Sequence, residues 1–313
     1  MTEKAKEIRQ TFSTLKAVGI LKEQDLKVET KKFDDGEEYH TLSGNIVVSI
    51  NGAEHKFRIW MNDHFASLND NGKHKGNSSY DNTRALMDTP TGATPTIELS
   101  LRAERFNDYM GKDNKLHSFD DISVNEAKII SDEAEHMFEG KIEGVVYSIR
   151  PEIVKEEETG RLIVTFVGVG YGQKALPHTL YVGAEEADYF KDEYEIGSCC
   201  TLDIEIASKE YGTTTTQITG WGRKANVSKG FTRIEWTVIG GDPAYNEEQV
   251  NKKGEPLFIS QADIKSLMEA RDIMLEQIEK EGYKGGKGKG EPKQGLKAMN
   301  KPDVDLTDVE CPF

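Results

Sequence analysis

The stretch TLSGNIVVSINGAEHKFRIWM, residues 41–61, decides the fold of this chain. Asn51-Gly52 lies near its centre, and this dipeptide between alternating apolar residues is the strongest short-range signal for a two-residue hairpin turn. Such a turn fixes the register, so Val48 is predicted to pair with His55, and every further pair follows by counting outward. The stretch therefore predicts two antiparallel strands that share one mostly apolar face.

Lys56, Arg58 and Trp60 are predicted to lie together on the opposite, outward face of this hairpin, because side chains alternate strictly along a strand. Cations can follow the phosphates of a nucleic-acid single strand, and an exposed indole can stack on a base. The face therefore has the composition of a single-strand platform. The alternative is a solvated face on which a neighbouring loop covers Trp60, and the hairpin alone leaves both interpretations open.

Two series of strands are predicted, one around the hairpin and one after it. The first has five or so strands with a long insertion, and the second has three strands, a helix and two strands. The second order is that of the oligonucleotide-binding (OB) barrel. The sequence thus predicts a mainly β fold with a few helices, in which two OB-like small β-barrels precede a C-terminal amphipathic helix and a disordered acidic tail.

The predicted units follow from these series and from helical spacing at both ends of the chain. Apolar residues from Ile8 to Val18 recur at helical spacing, and Ser260 is placed to cap a second helix that Gly282 ends. The units are an N-terminal helix (1–24), a first OB-like barrel (25–132), a second OB-like barrel (133–256), an amphipathic helix (257–281), a flexible Gly/Lys-rich linker (282–299) and an acidic protein-interaction tail (300–313).

A long connection, residues 207–230, is predicted as the loop of the second barrel that would hold a nucleic-acid strand. It is basic and aromatic in an otherwise acidic protein, and glycines flank Trp221. Trp236, by contrast, alternates with apolar residues and is predicted to lie in the core. The candidate contacts from the connection and the strand after it are Lys209, Tyr211, Trp221, Arg223, Lys224, Lys229, Phe231 and Arg233.

Composition limits the class of protein. The chain has 313 residues, a net charge of −15 and 36% hydrophobic residues, so any nucleic-acid site must be a local basic patch. No apolar run is long enough to cross a membrane, and the start is no signal peptide, which predicts a cytoplasmic protein with no membrane partner. The three cysteines and seven histidines form no metal motif, and no catalytic motif is present. We therefore expect no enzyme activity, no metal and no cofactor.

The last fourteen residues are too short and too charged to form a core element. A glycine- and lysine-rich spacer before them would let the tail reach roughly 25 Å from its anchor. A phenylalanine at the tip, beside a proline and among carboxylates, has the form of a peptide ligand for a basic, apolar pocket, although a merely solubilising tail is the simpler alternative. The candidate partner-binding residues are Asp303, Asp305, Asp308, Glu310, Pro312 and Phe313.

This basic spacer and acidic tail resemble those of the single-stranded-DNA-binding proteins of bacteria and tailed bacteriophages. The bacterial family ends in Asp-Asp-Asp-Ile-Pro-Phe. Here Asp308, Glu310 and the final Pro-Phe match in kind, whereas Val309 and Cys311 depart from that pattern. The resemblance covers only the tip of the chain. It implies an OB-fold body that binds single-stranded DNA and a tail that recruits replication or recombination proteins, such as a polymerase, helicase, primase or recombinase.

Three functions are compatible with the sequence. A phage-type single-stranded-DNA-binding protein would explain the strand series, the cationic faces and the tail together. A non-enzymatic interaction or virion-assembly module would leave the Lys, Arg and Trp combinations unexplained. A nuclease would need a convergent carboxylate cluster with bound magnesium, which the sequence does not display. We therefore expect binding and protection of single-stranded DNA, without strong sequence preference, during phage DNA replication, recombination or repair.

Overall fold

The computed structural model describes residues 8–69, 71–90, 92–218 and 224–282. Within residues 210–218 and 224–232 it describes the backbone alone. The linker and the acidic tail predicted from the sequence lie outside the described residues, apart from Gly282.

The described residues are mostly β-strands. The strands are β1 (Ser13–Gln24), β2 (Lys27–Lys32), β3 (Glu38–Ile50), β4 (Ala53–Asn62), β5 (His64–Leu68), β6 (His74–Gly76), β7 (Thr96–Arg102), β8 (Phe106–Met110), β9 (Leu116–Asp120), β10 (Ser123–Ile129), β11 (Met137–Val154), β12 (Glu157–Gly170), β13 (Lys174–Val182), β14 (Cys199–Ile218) and β15 (Lys224–Gly241). The helices are α1 (Ser78–Arg84), continued by a 3₁₀ turn (Ala85–Asp88), α2 (Ala187–Glu193) and α3 (Gln261–Glu281).

The hairpin predicted from residues 41–61 is confirmed in its register. Val48 is opposite His55, and the ladder of β3 and β4 continues outward without a slip. Asn51 and Gly52 have φ angles of 49° and 85°, the left-handed values that a type I′ turn requires at both central positions. Since the register is kept, the side chains of the predicted apolar face are buried.

The first set of strands follows the order of an OB barrel. Taking β1 with its continuation β2 as one bent strand, β3 and β4 come next, α1 follows, and β7 and β10 complete the set. The ladders join β4 to β3, β3 to β1, β1 to β7 and β7 to β10. No ladder between described residues joins β4 to β10. Instead α1 packs on β10, where the Thr83 hydroxyl accepts a hydrogen bond from the Ala127 amide at 3.0 Å.

The second set of strands has the same order and is joined all the way round. Its ladders run from β11 to β12, β13, β15 and β14, and then from β14 back to β11. Only the pairing of β13 with β15 is parallel among these, and α2 lies between β13 and β14. This is the predicted order of three strands, a helix and two strands.

The prediction of two separate barrels needs one correction. The first set stays open between β4 and β10, and a ladder from β1 to β11 joins both sets into one sheet of eleven strands. The sheet as a whole is therefore no closed barrel. The main apolar core runs through both sets, from Phe57 and Leu99 in the first to Phe166 and Trp236 in the second.

The predicted N-terminal helix is wrong over residues 13–24, which form strand β1. Leu15, Ala17 and Val18 are all buried, because β1 is covered on both faces near its middle. Two buried residues three positions apart imitate the spacing of a helix there, although the backbone is extended.

The C-terminal amphipathic helix is confirmed as α3. The Ser260 side chain accepts a hydrogen bond from the Asp263 amide at 3.1 Å, which caps the helix as predicted. Gly282 follows the last turn with a φ of 63°, a left-handed value that glycine adopts without strain. Ile264 is fully buried, and α3 packs on β13 and on the hairpin of β8 and β9. Within the described residues, no helix is long and apolar enough to cross a membrane.

Candidate nucleic-acid interface

The outward face of β3 and β4 carries the predicted cationic and aromatic stripe. Trp60 is 58% exposed, Arg58 is exposed and Lys56 is half-buried. The neighbouring residues of β4 on the other face, including Phe57 and Ile59, are completely buried. The alternative in which a neighbouring loop covers Trp60 is therefore wrong, and the indole ring is open to solvent.

The structure adds a cation that the sequence analysis missed. Lys27 of β2 is opposite Ser43 of β3, and Ser43 is opposite Trp60 of β4. The exposed Lys27 therefore lies in the same cross-strand row as the indole. The pairing of β2 with β3 would have been needed to find it, and the sequence of β2 does not give that pairing.

One of the acidic residues beside this face, Asp25, is already engaged in hydrogen bonds. The Asp25 carboxylate accepts hydrogen bonds from the side chain and backbone amide of Asn45. Desolvation raises the pKa of Asp25, but the hydrogen bonds from Asn45 and the charges of Lys56 and Lys27 outweigh it, so the pKa is lowered overall. Asp25 therefore stays ionised and neutralises part of the face.

Acidic side chains accompany the cations of this face. Glu54 precedes Lys56 on the same side of β4, and Glu23 of β1 is opposite Val47, which is opposite Lys56. The three cations around the indole are Lys27, Lys56 and Arg58, and Asp25 also lies beside them. None of the three cations takes part in an ion pair within 4 Å between residues that the structure describes. They are thus available to phosphate groups without the loss of an internal ion pair.

The prediction of a loop over residues 207–230 is wrong, because residues 207–218 and 224–230 belong to strands β14 and β15. β14 and β15 extend far beyond the second set as a two-stranded ribbon, whose ladder continues to the pair of Ile218 and Lys224. The order of an OB barrel predicted a long connection here, but the two neighbouring strands instead continue their pairing through most of this stretch.

Lys209 and Arg233 are opposite each other at the base of this ribbon. The Lys209 ammonium lies 3.3 Å from the fully buried carboxylate of Glu235, and an Arg161 guanidinium nitrogen lies 2.7 Å from the same carboxylate. Arg161 and Arg233 both lie over the ring of buried Tyr181, at 4.9 and 4.6 Å. The base of the ribbon is therefore a cluster in which buried charge and cation–π contacts hold the cations in place.

The other candidates from this stretch lie farther along the ribbon or outside the described residues. In the backbone ladder Tyr211 is opposite Phe231, Lys229 is opposite Thr213 and Lys224 is opposite Ile218. The candidates outside the described residues are Trp221, Arg223, Asp303, Asp305, Asp308, Glu310, Pro312 and Phe313.

Trp236 is a core residue, as predicted. It is 3% exposed and stacks on His178 with a centroid distance of 5.2 Å. The His178 Nδ1 atom lies 2.7 Å from the Asp120 carboxylate, which belongs to β9. This ring stack therefore helps to bind the second set of strands to the hairpin of β8 and β9.

The corresponding outer face of the second set is covered by the chain itself. Helix α3 lies over β13, and only a small cavity of about 290 Å³ lies between them, beside Tyr181 and Leu275. The Arg271 guanidinium donates two hydrogen bonds to Asp108, at 2.7 and 2.9 Å, and a third to Ser118 at 2.9 Å. The apolar stripe of α3 predicted that it packs on a barrel, but not which face it covers. The first set therefore presents the open strand face.

The fold and the site define a mostly β protein with two OB-ordered strand sets and one exposed face that combines cations with an aromatic ring. The chain belongs to the YorF family, whose model matches residues 13–281. No curated protein matches it.

Two solved structures of the single-stranded DNA binding protein from Thermus aquaticus are similar to this chain. The wild-type structure is 9% identical, with a TM-score of 0.38, over 79% of this chain and 100% of that one. A deletion mutant is 9% identical, with a TM-score of 0.39, over 78% and 98% of the two chains. Likeness at this level carries no argument about fold or function, which therefore depend on the chain's own strands and side chains.

Proposed function

We propose that this protein binds single-stranded DNA along the outward face of β3 and β4. The observation that carries the proposal is the exposure of Trp60 on the same face as Lys56, Arg58 and Lys27. An exposed ring can stack on any base, and flanking cations can follow the phosphates, so such a surface binds single strands with little sequence preference. A duplex keeps its bases stacked inside, and it would gain only the electrostatic part of this interaction.

The ribbon of β14 and β15 is proposed as a second contact along the strand. Lys209 and Arg233 at its base would contribute positive potential, although both also hold the fold together. The candidates beyond them, Tyr211, Trp221, Arg223, Lys224, Lys229 and Phe231, complete the proposed path. Binding would be non-enzymatic and would protect single strands during phage DNA replication, recombination or repair.

The acidic tail is proposed to recruit replication or recombination proteins and to compete with DNA for the basic face. Competition is expected because a tethered segment of opposite charge has a high effective concentration at low salt. Deleting residues 303–313 should strengthen DNA binding at low salt and abolish capture of such partners. Unchanged DNA affinity together with intact partner capture would reduce the tail to a solubilising segment.

The test of the main proposal is anisotropy of labelled oligodeoxythymidine with the wild type and with Trp60→Ala. Loss of one stacked base is worth about 1–3 kcal/mol, so affinity should fall about five- to hundred-fold. Tyr189→Ala is the matched control, because Tyr189 is 69% exposed on α2 and lies beside acidic residues. Both variants should melt as the wild type does, since each removes an exposed ring.

Salt and strand dependence complete the test. Three cations that each neutralise one phosphate give a slope of about −2 in the logarithm of affinity against the logarithm of salt concentration. Equal affinity for single strands and duplex, or affinity that does not change with salt, would contradict the proposal. So would normal binding by Trp60→Ala.

A further inference from the structure

A groove of about 490 Å³ lies between the two sets of strands and apart from the β3–β4 face. One side is formed by the start of β8, another by the turn between β12 and β13, and the third by the C-terminal half of α3. Its apolar surface comes from Leu176 of β13 and from Met274 and Ile278 of α3. Ligand sites are common at such junctions, because two units supply different chemistry to one space.

Tyr171 stands at the edge of this groove with its ring 81% exposed, the most exposed large hydrophobic or aromatic side chain among the described residues. The turn that carries it is held firmly. The Gln173 side chain donates to the Ile8 carbonyl at 2.7 Å and accepts from the Ile8 amide at 3.0 Å. A Cβ at Gly170 would lie only 3.1 Å from the Glu104 carbonyl, so the turn packs closely on the first set. The exposed ring is therefore presented by an anchored turn.

The charged side chains of the groove that take part in no ion pair between described residues are positive. Arg105 and Lys174 line it, both are exposed, and neither takes part in an ion pair between the residues that the structure describes. The acids that line the groove are both paired. Asp108 lies 2.7 Å from Arg271, which also lines the groove, and Glu104 lies 3.4 Å from an arginine of β7. A polyanion can thus approach the rim without displacing an internal ion pair.

We propose that this groove binds a nucleobase of the same single strand that the β3–β4 face holds, with Tyr171 stacked on the base and its neighbouring phosphates at Arg105 and Lys174. The proposal rests on the proposed function and adds a second, separate contact to it. An anchored aromatic ring, an apolar wall and unengaged cations are the three features from which single-strand sites are built. Single-stranded DNA long enough to reach both sites would gain affinity from both.

The experiment measures the affinity of the wild type and of Tyr171→Ala for labelled oligodeoxythymidine of two lengths. An oligonucleotide of about 6 nucleotides fits the site of one OB fold, and one of about 30 nucleotides is long enough for both sites. Loss of one stacked base should weaken binding of the long oligonucleotide about five- to hundred-fold. Binding of the short one, held by the Trp60 face, should change less than about two-fold, within the variation of exposed positions. Tyr171→Phe keeps the ring and should bind both as the wild type does.

The controls separate this proposal from the proposed function. Tyr189→Ala removes another exposed tyrosine ring, from an acidic helix, and should change neither affinity. Photocrosslinking of 5-iododeoxyuridine in the long oligonucleotide should label Tyr171. If Tyr171→Ala binds the long oligonucleotide as the wild type does, the groove is no DNA site. Weakened binding by Trp60→Ala in the same experiment would still support the proposed function. If the wild type binds neither oligonucleotide, both proposals fall.

Discussion

Replacing His55 with leucine is expected to make the fold less sensitive to acid. His55 lies on the buried face of β4, is 2% exposed, and has no hydrogen-bond partner for Nδ1 among the described residues. Its ring is packed near Phe57 and against the edge of Phe138, at centroid distances of 6.3 and 5.5 Å. Because this apolar site disfavours the charged imidazolium, burial lowers the pKa of His55 from 6.5 to about 4.

The direction and size of the effect follow from this pKa. Between pH 6.5 and about 4 the unfolded chain binds a proton at His55 that the folded protein does not. Stability is therefore fully present above pH 6.5 and is lost as the pH falls through this window. Over the whole window the unfolding free energy falls by about 3 kcal/mol, at 1.36 kcal/mol per pKa unit. At pH 5 it has fallen by about 2 kcal/mol.

Urea unfolding of the wild type and of His55→Leu at about pH 7 and about pH 5 measures this term. All other titrating groups are shared by the two proteins, so they cancel from the difference in unfolding free energy. On going from pH 7 to pH 5, the unfolding free energy of His55→Leu should rise by about 2 kcal/mol relative to that of the wild type. A difference that is the same at both pH values would refute the assignment of a neutral, buried His55.

Three further predictions concern the core and the helix that covers the second set. Trp236→Ala should lower the unfolding free energy by about 3–5 kcal/mol in a thermal melt, because the ring is 3% exposed, and a normal melt would remove Trp236 from the core. Arg271→Ala leaves the buried carboxylate of Asp108 without its arginine and should lower the unfolding free energy by about 3–5 kcal/mol. The double variant Arg271→Met with Asp108→Leu should recover much of this stability in urea unfolding. Burial raises the pKa of the Cys199 thiol to about 11 and that of Cys200 further, so both should resist alkylation until the protein unfolds, as peptide mass mapping would show.

The parts of the fold that were predictable from sequence are those with local causes. Asn51-Gly52 determines the turn, and alternation then places Trp60 outward and Phe57 inward without any knowledge of neighbouring strands. The cap at Ser260 is local in the same way. For this reason the hairpin, the exposed stripe and α3 were found correctly.

The parts that were missed depend on contacts between distant segments. Residues 13–24 were predicted as a helix because Leu15 and Val18 are both apolar. They form a strand instead, which pairs with β11 of the second set along one edge and with β7 of the first set along the other. The ribbon of β14 and β15 was predicted as a loop because an OB barrel commonly has a long connection between its last two strands, whereas here these strands are themselves extended. Lys27 joined the candidate site only through the ladder of β2 with β3. The strand face could thus be predicted, but its full set of cations could not.

The ladder between β1 and β11 has a consequence for how the protein is made. β1 has β7 along one edge and β11 along the other, but the ribosome synthesises β11 only after the whole first set has emerged. Until then the nascent chain carries a row of unpaired N–H and C=O groups, an edge that can recruit a strand from another chain. A gene fusion that keeps only the first set would leave the same edge open. The two sets are therefore expected to be inherited as a single piece.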